Sequence, residues 1–237
     1  MMLRKLLLPL MLAVLGSAPA VAAPRESVKP VAKAKKASGG TKVQRSRGST
    51  AAVKATSSKK KRPAVRLTRG RRVARRAGSL VGTSLASQRV PDDCSGLARA
   101  AYKSVGIELL SQGSLPGENA VSAIHRRAQR SGALHRGTPK PGDLIFFRET
   151  YDRNRDGVRN DGLTHVGVIE SVERDGTVVF VHRGGSGVRR ARMNLRIPSK
   201  HAQGGRVLND YIRRAEGGQR ARLTSELFSG YASAARL

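Results

Sequence analysis

Cysteine is nearly absent: the 237-residue chain has one, Cys94, so no intramolecular disulfide can form. The fold must be held by an ordinary apolar core, which a chain of this length can supply. Zinc held by thiolates is excluded with the disulfide, since one Cys and five scattered His match no ligand spacing. Tryptophan is missing altogether, and no tyrosine precedes Tyr102. No apolar stretch approaches the roughly 20 residues of a membrane-spanning helix; the run from Leu6 to Leu15 is broken at once by Gly16, Ser17 and Pro19. No period of about 20 to 50 residues recurs, which excludes solenoids and propellers. The glycine cluster "RGGSG" at 183–187 lacks the Lys-Ser/Thr ending of a phosphate loop and reads as a flexible turn.

Negative charge is also scarce, with 16 acids against 46 Lys and Arg and a net charge of +30. That charge is uneven. Residues 1–22 have a basic start (Arg4, Lys5), a short apolar run and small residues before Ala22, the pattern of a cleaved signal peptide, which implies a periplasmic or secreted protein at the cell envelope. The segment from Pro24 to Ala77 carries +18 net in a Lys, Ala, Ser and Gly background that cannot bury enough surface to offset chain entropy. Residues 23–70 are therefore expected to be a disordered cationic linker anchoring the protein to a polyanion. Export points to peptidoglycan or other anionic envelope polymers and away from nucleic acid.

A 3.6-residue period starts near Arg71, with Val73, Ala77, Leu80, Val81 and Leu85 on one stripe. A second helix comes after "SQRVPDD", capped by Asp92 or Asp93, and places Leu97, Ala98, Ala101 and Tyr102 on the edge that holds Cys94. A third lies within "GENAVSAIHRRAQRSG". The texture then changes to short branched and aromatic runs, "PKPGDLIFF", "LTHVGVIESV" and "GTVVFVHR", the last two joined by a hairpin at "ERDG". Helices succeeded by an antiparallel sheet make an α+β fold over residues 71–215. Residues 216–237 are expected to form a helical tail carrying Leu223, Leu227, Phe228 and Tyr231. The chain is expected to be a monomer.

Cys94 falls at a helix N-terminus, where free N–H groups and the helix dipole stabilise a thiolate. His165 begins one strand and His182 ends the next, so a hairpin brings both rings within reach of each other. A Cys/His/His set of this kind would serve nucleophilic catalysis, with the thiol ionised near neutrality. His125 and His135, among arginines, read as surface residues, and Asp143 as a residue that shapes the turn into its strand.

"DCSGL" at 93–97, "PKPGDLIFF" at 139–147, "HVGVIESV" at 165–172 and "FVHR" at 180–183 occur in the order seen in the NlpC/P60 cell-wall cysteine peptidases, which the chain resembles from about Gly78 to Arg190. "HVGVIESVERDGTV" is equally similar to the related CHAP amidases of the same papain-like fold. The resemblance implies Cys94 as nucleophile, His165 as general base and His182 as the group that orients it. It also implies Asp93 and Ser95 as recognition positions for the free amino end of a peptidoglycan stem peptide. The reaction implied is cleavage of a stem-peptide amide, typically between D-glutamate and a diamino acid, through an acyl-enzyme, with the Cys94 N–H in the oxyanion hole. The family's Tyr-x-Gly-Gly ahead of the cysteine is missing. A different class of function on the same scaffold is a catalytically silent, Ca²⁺-dependent wall- or polyanion-binding module.

Between the strands, "YDRNRDGVRNDGLTH" places Asp152, Asn154, Asp156, the Val158 carbonyl and Asn160 at the spacing of a Ca²⁺ loop, with Gly157 at the turn. Leu163 stands where a bidentate Glu belongs, and Asp161 is expected to substitute. A structural Ca²⁺ would stiffen the approach to His165; no catalytic metal is expected.

Overall fold

The computed structural model describes residues 66–237, so the expected signal peptide and nearly all of the basic linker lie outside the described residues. Helix α1 (Arg69–Ser79) starts slightly before the expected boundary, because the Thr68 hydroxyl accepts the Arg71 N–H and caps it. Helix α2 (Cys94–Lys103) is capped by Asp93, and α3 (Ala120–Arg130) by Asn119. Ten strands come next: β1 (Leu134–His135), β2 (Leu144–Arg148), β3 (Leu163–Val172), β4 (Val178–Gly184), β5 (Gly187–Met193), β6 (Ala202–Gln203), β7 (Arg206–Val207), β8 (Tyr211–Arg213), β9 (Arg222–Leu223) and β10 (Phe228–Ala232). A four-residue helix α4 (Thr224–Leu227) precedes the last strand.

Six of these strands form one antiparallel sheet in the order β1-β10-β2-β3-β4-β5, giving the expected α+β architecture. "LIFF" is buried throughout because β2 is central and covered on both faces. Leu144 and Phe146 meet Val73, Ala77, Leu97, Ala101 and Tyr102 from the helices, while Ile145 and Phe147 meet Ile169, Phe180 and Met193 behind the sheet. "ERDG" closes the β3–β4 hairpin, with the Glu173 N–H donating to the Thr177 carbonyl at 2.8 Å and Gly176 at φ 87°.

The expected C-terminal helix is a correction. Only Thr224–Leu227 is helical; the chain then becomes β10, which lies between β1 and β2 in the main sheet. Leu223, Leu227 and Tyr231 are four residues apart and buried, which mimics a helical stripe, but Gly230 and a register shift break it and the strand supplies β2 with a hydrogen-bonded partner. Asp143 fastens the chain just beyond β10: its carboxylate accepts the Ala234 N–H at 2.9 Å and the Lys140 N–H at 2.8 Å. Residues 216–237 thus belong to the body of the fold. His125 and His135 are not surface residues either. Both are half-buried, His125 edge-on to Phe146 and His135 beside Asp143 and Tyr231.

Candidate active site

The residues around Cys94 hold the first turn of α2 in place. Asp93 is extended, and its Oδ1 accepts both the Gly96 N–H at 2.8 Å and the Ser95 hydroxyl at 2.7 Å. Gly96 has no alternative: a Cβ there would lie 1.8 Å from the Pro91 carbonyl oxygen. The motif is thus a tight helix start that leaves Cys94 half-buried at the first helical position. Its Sγ lies 4.0 Å from the Thr164 carbonyl and meets the N–H groups of Val166, Ser95 and Cys94 itself. The sulfur therefore touches β3 backbone on both sides of His165.

His165 and His182 meet edge to face, with Nε2 of the first 2.9 Å from Nδ1 of the second. Their strands pair directly, and Gly167 permits the approach, since a Cβ there would lie 2.7 Å from the Phe180 ring. Arg189, opposite His182 on β5, places its Nε 3.4 Å from His182 Nε2. A guanidinium only donates, so His182 Nε2 accepts there. The His182 proton then sits on Nδ1 and points at His165 Nε2, which leaves the His165 proton on Nδ1.

The electrostatics reverse the expectation of an ionised thiol. Burial pushes the Cys94 thiol up to about 11, with the Asp93 charge adding to it and the backbone N–H groups opposing it. Burial brings His165 down to about 4, and it holds His182 well below the ordinary imidazole range, with His165 and Arg189 reinforcing the shift. A two-residue contact with a helix N-terminus does not outweigh desolvation here. The resting pair is a neutral thiol and a neutral imidazole.

Cys94, His165 and His182 all line one cavity of about 520 Å³, together with Asp93 and Ser95. The latter two sit beside Cys94, yet Ser95 is buried with its hydroxyl turned to Asp93, so its direct role is to hold the helix start. Sequence reasoning missed three contributors. Tyr151, half-exposed, enters the cleft from the loop after β2, close enough to Cys94 for a thiolate there to oppose its own ionisation. Arg189 and Arg214 arrive from β5 and from the turn after β8. Nothing local marks any of the three.

In the loop 152–161 the carboxylates cap backbone N–H groups. Asp152 accepts the Arg155 and Gly157 N–H groups at 2.6 and 2.7 Å, Asp156 accepts the Val158 N–H at 2.7 Å and the Asn154 amide at 2.8 Å, and Asp161 Oδ1 accepts the Arg153 N–H at 3.1 Å. Among the described residues no three His, Cys, Asp or Glu side chains converge as a metal-holding group. Asp161 Oδ2 is buried without a hydrogen-bond partner, the one oxygen of the set that a cation would satisfy.

Among known families, residues 86–184 match the CHAP domain, a stretch that begins just before α2 and ends with β4 and so contains Cys94, His165 and His182. CHAP domains are papain-like in fold and are generally hydrolases acting on peptidoglycan. Neither the curated proteins nor the solved structures yield a match to this chain.

Proposed function

Since this chain carries a CHAP domain over residues 86–184, we propose that it is an exported cysteine hydrolase that cleaves amide bonds in peptidoglycan stem peptides. The supporting observation is the 2.9 Å His165–His182 contact in the same cleft as a thiol at a helix N-terminus. With Nε2 engaged by His182, His165 Nδ1 is the nitrogen available to Cys94. Cys94 Sγ attacks the amide carbonyl, its proton passes to His165 Nδ1, and the C–N bond breaks as the amine leaves with that proton. Water then cleaves the thioester, releasing the carboxylate and restoring the thiol. A thiol raised to about 11 facing an imidazole lowered to about 4 does not ionise in advance, so proton transfer accompanies attack. His165 must first present an unprotonated Nδ1. The ring pair therefore shifts tautomer, each ring exchanging one N–H proton with water, and the long contact from exposed Arg189 to His182 yields. The Cys94 N–H and the Tyr151 hydroxyl are the donors assigned to the developing oxyanion, the second in place of the missing upstream tyrosine.

The cationic segment before the domain is assigned to retention on anionic wall polymers, consistent with +18 between Pro24 and Ala77. For the loop, Asp152, Asn154, Asp156, Val158, Asn160 and Asp161 would hold a structural Ca²⁺, and the unsatisfied Asp161 Oδ2 is the feature in its favour.

Digestion of purified peptidoglycan, read by mass spectrometry of the soluble fragments, tests the assignment. The full chain is expected to release peptides and Cys94→Ala to release none while retaining its circular dichroism. Intact peptidoglycan with both proteins, bound but uncut, would identify a silent wall-binding module instead.

A further inference from the structure

Four arginines line the cleft, and they are not equivalent. Arg183 is neutralised by Asp92 at 2.7 Å, and Arg213 is buried with Nη1 on the Glu149 carbonyl at 2.9 Å. Arg189 and Arg214 have no acidic partner among the described residues. The Arg189 Nε–H reaches His182, but its terminal nitrogens, with four N–H donors, take no acceptor among the described residues. Both guanidinium groups lie against one short piece of backbone. A Cβ on Gly184 would sit 3.7 Å from Arg189 Nε, and one on Gly185 would sit 3.6 Å from Arg214 Nη2. Gly184 also touches His182, with a hypothetical Cβ 3.2 Å from its Cε1. Two uncompensated cations therefore lie against Gly184 and Gly185, at the end of β4 that carries His182, where neither glycine has a side chain to block them.

We propose that Arg189 and Arg214 form a carboxylate-recognition subsite, so that the preferred substrate is a peptide with a free carboxylate next to the scissile amide. Paired guanidinium groups match a planar carboxylate by charge and by hydrogen-bond geometry. The cleft also holds Asp93, whose Oδ2 takes no hydrogen bond among the described residues. A carboxylate that draws Arg189 onto itself also removes the donor from His182 Nε2, the contact that must yield before His165 can take the thiol proton.

This subsite rests on the hydrolase reading only for its amide substrate, so the test reads binding. Isothermal titration of the full chain bearing Cys94→Ala uses two synthetic tetrapeptides containing γ-linked D-glutamate, one with its α-carboxylate free and one with it amidated. The acid form is expected to bind about tenfold or more tightly than the amide, the range of charge-assisted hydrogen bonds. Arg189→Gln with Arg214→Gln is expected to bring that ratio near one; Arg189→Lys with Arg214→Lys, which retains the charge, keeps part of it. Equal affinities for acid and amide, binding of neither peptide, or a preference that survives the double Gln substitution would overturn the subsite. Selective binding by a chain whose native form cuts no peptidoglycan would sustain the subsite and remove the hydrolase reading. Cleavage without selectivity would do the reverse.

Discussion

The Cys94 thiol is set by two opposed effects of the same few ångströms. The N–H groups of Val166, Ser95 and Cys94 favour the thiolate, while burial and Asp93 disfavour it more, leaving the thiol near 11. Iodoacetamide is therefore expected to label the resting protein slowly at pH 5 to 6, with the rate climbing toward about 11, where an activated thiol would react already in mild acid. The pH profile of kcat/KM reflects the same pair: flat around neutrality, falling on the acid side only as His165 takes a proton near 4. An acid limb near pH 6.5 would show that His165 is not held down by burial. Tyr151→Phe is expected to lower kcat by at least about tenfold with little change in KM, as loss of one oxyanion donor does. That Cys94 starts a helix and that the two histidines meet was legible because each feature sits in a short local motif. Tyr151 and Arg214 were not, because they reach the cleft from loops placed by long-range packing, and Arg189 was not, because the β4–β5 hairpin that sets it opposite His182 was read only as a flexible turn.

At the scale of elements, the start of α2 and the last strand carry the testable weight. Gly96→Ala inserts a Cβ 1.8 Å from the Pro91 oxygen, and because backbone has to move, a cost of about 3 kcal/mol is expected by urea unfolding. Removing residues 228–237 withdraws the strand that pairs with both β1 and β2, so the truncated chain is expected not to fold, whereas an appended tail could be lost without consequence. The same stretch shows why the helical expectation failed: a four-residue spacing of Leu223, Leu227 and Tyr231 satisfies a helix face, yet an unpaired central-sheet edge competes for the backbone and wins. For the loop, Ca²⁺ at about 100 times its dissociation constant is expected to raise stability by about 2.7 kcal/mol, read as a rise in Tm that Mg²⁺ does not reproduce. An unchanged Tm and no heat on titration would leave 152–161 as a turn held by its own carboxylate caps.

For the whole molecule, the buried neutral groups set the shape of stability against pH. Between about 6.5 and 4 the unfolded chain takes up protons on His165 and His182 that the folded chain refuses, so stability falls as the pH drops through that window. Between 9.0 and about 11 the unfolded thiol ionises while the folded one stays protonated, so stability falls as the pH rises. Tm is thus expected to peak between about pH 6.5 and 9, with Cys94→Ala flattening the alkaline side. A Tm unchanged from pH 7 to 5 would contradict the buried imidazoles. Among the described residues no helix is long and apolar enough to cross a membrane.

By itself the sequence determined the local features: an aspartate cap, Asp92 or Asp93, and the Cys94 helix start, the α+β order of elements, the "ERDG" hairpin and the pairing of His165 with His182, because each arises from contacts within a turn, a helix period or one hairpin. Only the tertiary structure decided that β10 enters the sheet, that the thiol and imidazole rest uncharged, and that two unneutralised arginines lie against Gly184 and Gly185. Those outcomes depend on burial and on long-range strand pairing, which local spacing along a chain does not encode.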